Sequence, residues 1–232
     1  MKNPQLILLL YIVLAIVEIT GDITGIRPII YVTKPLLMPV LMLWFFALTP
    51  NKTSKFKKII AVSIVCSFFG DTFLLFVEKN EIFFLLGLGS FLIGQLLYGW
   101  AFILNIKSSD RKGDIRLNVL FAILFGAFYF MLMNLLFPKL GEFLVPVLVY
   151  GLAICFMGLT AAYRYNKVAM NSFYFVLAGA LTFVVSDTCI ALDKFYFPGG
   201  FPYAQALIMV TYCTAQYLIV KGCANYINEQ KG

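Results

Sequence analysis

Apolar residues fill eight long stretches of the chain, at about residues 5–23, 28–48, 59–78, 82–104, 117–137, 143–163, 171–192 and 203–222, with short polar breaks between them. Each approaches the ~20 residues that an α-helix needs to cross the hydrocarbon core of a bilayer. The pattern predicts an all-α fold: a polytopic transmembrane bundle of about eight helices. The short connections make chain neighbours antiparallel. The first stretch follows one lysine, and no small-x-small cleavage site comes after it. It is read as the first span and not as a removable leader.

Composition agrees with this reading. Of 232 residues, 62% are hydrophobic and 12% charged, which fits a single integral domain over residues 1–232 and leaves no room for a soluble one. The expected location is a bacterial plasma membrane, crossed many times. The net charge of +7 reads as topology, with no nucleic-acid partner. Lys2, Lys52, Lys55, Lys57, Lys58, Lys107, Arg111, Lys112, Arg116, Arg164, Lys167, Lys221 and Lys231 fall at the termini and in alternate loops. The other face holds only Arg27, Lys79, Lys139 and Lys194. By the positive-inside rule both termini are cytoplasmic.

The chain has no histidine, which excludes His-based triads and HExxH zinc sites. Its five cysteines lie in apolar runs without metal-ligand spacing and read as small buried residues. No metal or organic cofactor is expected, and no protein partner is evident. A faint internal echo links "GDTFLLFVEK" (70–79) with "SDTCIALDK" (186–194). It suggests a parallel repeat of about 1–110 and 117–232.

Four charged residues break the apolar runs well inside their spans: Glu18, Lys34, Asp71 and Asp187. Charge at membrane depth costs at least ~2.5–3.5 kcal/mol per residue, so such groups normally face the bundle interior and serve function. Counting from Arg27, Glu78 and Asp193 at the outer helix ends, Lys34, Asp71 and Asp187 each lie roughly 9–11 Å below the non-cytoplasmic surface. Glu18 is shallower. Two carboxyls and an amine thus reach one level from three helices. Structural readings compete: lysine can snorkel, and a buried aspartate can tie helices together. Gln95, Tyr98, Tyr212 and Gln216 lie deeper and, with Glu18, are candidates to bind a substrate. Gly87, Ser90 and Gly94 stand at helical spacing and suit close packing of the fourth helix.

Paired carboxyls are an ordinary means of acid–base catalysis where histidine is missing. At this depth they meet the level where a lipid's glycerol joins its chains, so hydrolysis of a lipid is the chemistry expected. A proton-coupled transporter or channel using the same residues is the main alternative. A chromophore held by Lys34 as a Schiff base is a third.

The segments "TKPLLMP" (33–39), "FFGDTFLL" (68–75), "LGLGSFLIGQLLYGWAF" (86–102), "GALTFVVSDTCIALDKF" (179–195) and "TYCTAQYLIV" (211–220) together resemble the YhhN-like lysoplasmalogenase family of membrane proteins. Five of the eight helices carry the resemblance. Where family members often have a histidine, this chain has Gln95. The resemblance implies a membrane hydrolase that cleaves the vinyl ether of lysoplasmalogens, a lysophospholipid substrate drawn from the membrane. The products are a fatty aldehyde and glycerophospho-ethanolamine or -choline. Joined to the chemistry of the buried charges, it makes Asp71 and Asp187 the expected acid–base pair, with Lys34 holding an ionised carboxylate or the substrate phosphate.

Overall fold

Helix ends follow local capping chemistry. In a computed structural model that describes residues 3–230, Asn3 accepts a hydrogen bond from the Gln5 amide, and Pro4 opens α1 (Pro4–Thr24). Gly25 closes α1 at φ 69°, a left-handed conformation that favours glycine. Ser54 caps α3 (Lys55–Leu74) through the Lys57 amide at 3.1 Å. Asp114 caps α5 (Ile115–Leu136) through the Arg116 amide at 2.9 Å. The remaining helices are α2 (Arg27–Leu48), α4 (Ile82–Lys107), α6 (Leu144–Ala162), α7 (Met170–Ala191) and α8 (Ala204–Glu229). No strand occurs among the described residues. A π-helical turn, Leu192–Tyr196, continues α7.

This is the all-α bundle expected. The bounds of two helices moved by four residues or more. The third ends at Leu74 and begins at Lys55, where the Ser54 cap draws three lysines into its first turn. The eighth runs to Glu229, beyond the point where hydropathy falls, because helix continues wherever its inner face still packs. Seven of the eight helices are long and apolar enough to cross a membrane; α3 is not among them. Its 20 residues carry Lys55, Lys57, Lys58 and Asp71. It packs against α2, α4 and α8.

Loop contacts sort the helix ends into two groups, as antiparallel neighbours require. At one end Arg27 pairs with Glu78, and the rings of Phe84, Phe143 and Phe195 cluster at 5.5–5.9 Å. At the other end Lys52 reaches the Gln230 carbonyl (3.2 Å), and Asn228 reaches that of Leu48 (3.0 Å). Lys2 and Lys231 lie outside the described residues. Arg164, placed among the loop charges on sequence grounds, is wholly buried at this second end. Its guanidinium donates to Asn105 Oδ1 (3.1 Å) and Ser172 Oγ (2.7 Å) and faces the Phe102 ring at 5.3 Å. No carboxylate pairs with it among the described residues.

The core is built around α8, the most buried helix, while α1 and α5 lie at the periphery. Between α7 and α8 small residues allow the backbones to meet. A Cβ on Gly179 would lie 2.8 Å from the Ile219 nitrogen, and one on Gly222 would lie 2.9 Å from the Val176 nitrogen. Ser172 and Ser186 donate across the same seam to the carbonyls of Gly222 (2.8 Å) and Ile208 (3.1 Å). Hydroxyl bonds and close contact replace the hydrophobic drive that lipid does not supply. Gly87 and Gly94 do the same for α4 on α3, whereas the Ser90 hydroxyl turns back to the Leu86 carbonyl.

Candidate active site

Asp71 lies in the last turn of α3, and Asp187 lies one turn before the end of α7. Both border one cavity of about 480 Å³. Lys34 of α2 and Tyr212 of α8 border it as well. Four of the residues singled out from sequence are therefore brought together by four different helices. The rotations that aim them are set by packing between the helices.

Each carboxyl is held by a tyrosine from a neighbouring helix. Tyr212 Oη donates to Asp71 Oδ2 at 2.7 Å. Its ring stands edge-on to Phe91 (5.8 Å) and Phe183 (5.6 Å), so the hydroxyl has little freedom. Tyr150 of α6 donates to Asp187 Oδ2. In both pairs the second carboxyl oxygen makes no hydrogen bond to a described residue, and both aspartates border the cavity. The Lys34 amine has no carboxylate within 4.0 Å among the described residues. It is left to meet whatever enters.

The other sequence candidates lie elsewhere. Glu18 is fully buried between α1 and α2, where it accepts from the Thr33 hydroxyl, and its Oε1 has no partner. It does not border the cavity. Tyr98 and Gln216 also stand back from it. Tyr98 Oη donates to Gln216 Oε1 (2.9 Å), Gln216 Nε2 donates to Ser67 Oγ (2.9 Å), and Ser67 donates to the Ser63 carbonyl (3.2 Å). That chain ties α3, α4 and α8 together beneath the site. Gln95 is 1% exposed, and neither of its amide atoms finds a partner among the described residues.

The Tyr98–Gln216 bond predicts a structural phenotype. Tyr98→Phe leaves the buried Gln216 carbonyl without its donor, at a cost of about 1–3 kcal/mol. The expected result is a lower thermal midpoint in detergent with an unchanged cavity. Unchanged thermal stability would contradict it.

Several site residues had no sequence signal or a misleading one. Asp22, Asp193, Lys194 and Gln205 also line the cavity, although Asp193 reads from sequence only as a marker of the outer helix end. Tyr150 sits in a helix that reads as generic, and nothing in its neighbourhood marks it. Only the fold brings its hydroxyl to Asp187. Chemically, the site offers two carboxyls with cavity-facing sides, phenols that orient them, and a lysine amine with no carboxylate within 4.0 Å among the described residues. Such a set can deliver a proton, accept one, and hold an anion.

The chain is similar to known membrane proteins. The model of the YhhN family matches residues 29–223, which include Lys34, Asp71, Asp187 and Tyr212. Lysoplasmalogenase TMEM86A of Bos taurus is 36% identical over 201 residues, covering 78% of this chain and 73% of that protein. Lysoplasmalogenase TMEM86A of Homo sapiens is 34% identical over the same shares. Lysoplasmalogenase TMEM86B of Homo sapiens is 29% identical over 182 residues, covering 78% of this chain and 70% of that protein. No solved structure matches the chain. A family match over most of its length, joined to relatives above 30% identity, makes this chain a member of the YhhN family.

Proposed function

We propose that the protein is a membrane-embedded hydrolase that cleaves the vinyl ether bond of lysoplasmalogens to a fatty aldehyde and a glycerophospho-ethanolamine or -choline. One observation carries the reading: two tyrosine-held aspartates and an unpaired lysine border one cavity in a chain whose relatives are named lysoplasmalogenases.

One aspartic acid delivers its proton to the outer alkene carbon, and the π pair forms the new C–H bond. The remaining cation is an oxocarbenium ion, of the kind met in glycoside hydrolysis. The second aspartate, as carboxylate, stabilises that cation and takes a proton from the attacking water. The hemiacetal then collapses. Its C–O bond to glycerol breaks as the glycerol oxygen takes the proton held by the second aspartic acid, the hemiacetal hydroxyl gives its proton back to the first aspartate, and the aldehyde leaves. One water is consumed, and both carboxyls return to their starting states.

Lys34 serves the phosphate in this reading. Lys34→Met is expected to raise KM for a phosphate-bearing substrate about tenfold, the loss of one charge-assisted contact of ~1.5 kcal/mol, with a smaller change in kcat. An alkenyl glycerol without phosphate should show no such KM shift. Equal effects on both substrates would refute the assignment.

The loop charges support a cavity that opens on the non-cytoplasmic face. Beneath Asp71 the buried Tyr98–Gln216–Ser67 chain closes the floor, which speaks against a path for transport. The test uses purified protein in detergent with vinyl-ether and saturated-ether lysolipids of equal chain length. Aldehyde release from the vinyl ether alone is the expected result; release from neither refutes the function.

A further inference from the structure

Two small apolar clefts lie behind Asp187, of about 40 Å³ and about 30 Å³. The first runs between α4, α6 and α7, past Leu88, Phe91 and Val147. The second runs between α5, α6 and α7, past Leu132, Gly151 and Ile154. Among the described residues Asp187 alone borders both clefts and the polar cavity as well. The other polar groups of the clefts are already engaged. The Tyr150 hydroxyl is given to Asp187, and the Thr188 hydroxyl to the Val184 carbonyl at 2.7 Å.

We infer that these clefts receive the first carbons of the substrate's hydrocarbon chain, which leaves the bundle between α5 and α6 and continues into the bilayer. The inference rests on the hydrolase reading above and adds to it a direction of binding. A lysolipid is polar, then ether, then hydrocarbon. The walls change in the same order, from the Lys34 side of the cavity, through Asp187, to the clefts. Their size sets a limit: each holds about two to four water-sized groups at ~10–15 Å³ apiece, so the rest of the chain must lie outside. Helix α5 suits that exit. Phe130 and Met131 are 73% and 67% exposed, while Leu132 and Met133 of the same helix line the cleft. Binding this way sets the double bond against Asp187, which makes Asp187 the carboxyl that delivers the proton to carbon, with Asp71 on the water side.

The test uses the full chain in lipid nanodiscs and two saturated-ether lysophosphoethanolamines, which are not cleaved. One carries a diazirine at the second chain carbon, the other at the fifth. The expected labels are Asp187 from the first and peptides covering 128–136 or 147–154 from the second. Labelling of Asp71 by the first probe, or of α1, α2 or α8 by the second, overturns the proposal. Leu132→Trp narrows the lipid-side opening. It is expected to lower the ratio of long-chain to short-chain vinyl-ether turnover at least tenfold, and an unchanged ratio overturns the proposal. The expected labels in a wild-type protein that releases no aldehyde would uphold the clefts and reject the hydrolase.

Discussion

Asp71→Asn and Asp187→Asn are each expected to reduce aldehyde release by about 10²–10⁴-fold, the range for removing one member of an acid–base pair. Both variants should still extract as folded, monodisperse protein. The reason is geometric. An asparagine side-chain oxygen can still accept from Tyr212 or Tyr150, so the contacts that position each side chain survive. What is lost is the proton, or the negative charge. An amide can neither deliver a proton to an alkene carbon nor neutralise an oxocarbenium ion. The losses should be strongly non-additive, because the two groups act on one reaction coordinate. Turnover above a tenth of wild type in both single variants removes the mechanism.

The second large effect is expected far from the chemistry. Gly179→Ala should lower stability by about 1–3 kcal/mol, the usual cost of forcing one extra carbon into a packed seam, and should lower activity as well. The added Cβ would stand 2.8 Å from the Ile219 nitrogen and 2.9 Å from the Ala215 carbonyl oxygen. Those are backbone atoms and cannot rotate aside, so α7 and α8 must separate. Asp187 rides on α7, and Tyr212, which orients Asp71, rides on α8. A shift of one helix against the other therefore disturbs both carboxyls. Gly126→Ala in α5 is the control, since nothing lies within 4 Å of a Cβ there. Thermal unfolding in detergent and aldehyde release are the two readouts. Equal behaviour of the two alanine variants would contradict the argument.

The sequence and structure divide the account of this protein along a physical line. Helix number, approximate ends and the expected depth of Lys34, Asp71 and Asp187 follow from hydropathy and from a rise of ~1.5 Å per residue. Both are local properties of the chain, and a carboxylate in a lipid-length apolar run announces itself by its cost. Direction is another matter. Which way Tyr98, Gln216 and Gln95 point depends on helix rotation. In a helix apolar nearly all round, the sequence leaves that rotation undetermined. Tyr212 and Gln216 lie four residues apart on α8, yet one meets the cavity and the other closes a network beneath it. Arg164 looked like a loop charge and is buried because Asn105 and two aromatic rings, all distant in sequence, converge on it with the nearby Ser172.

By itself, then, the chain's pattern of apolar runs and misplaced charges determined an all-helical membrane protein and singled out Lys34, Asp71 and Asp187 as its interior charges. Only the tertiary structure decided that these groups share a cavity, that a tyrosine holds each acid, and that Asp187 stands where polar walls give way to apolar ones. The reason is that depth is measured along a helix axis, which hydropathy reads, whereas partnership is settled around it, by contacts between residues as far apart as Asp71 and Tyr212.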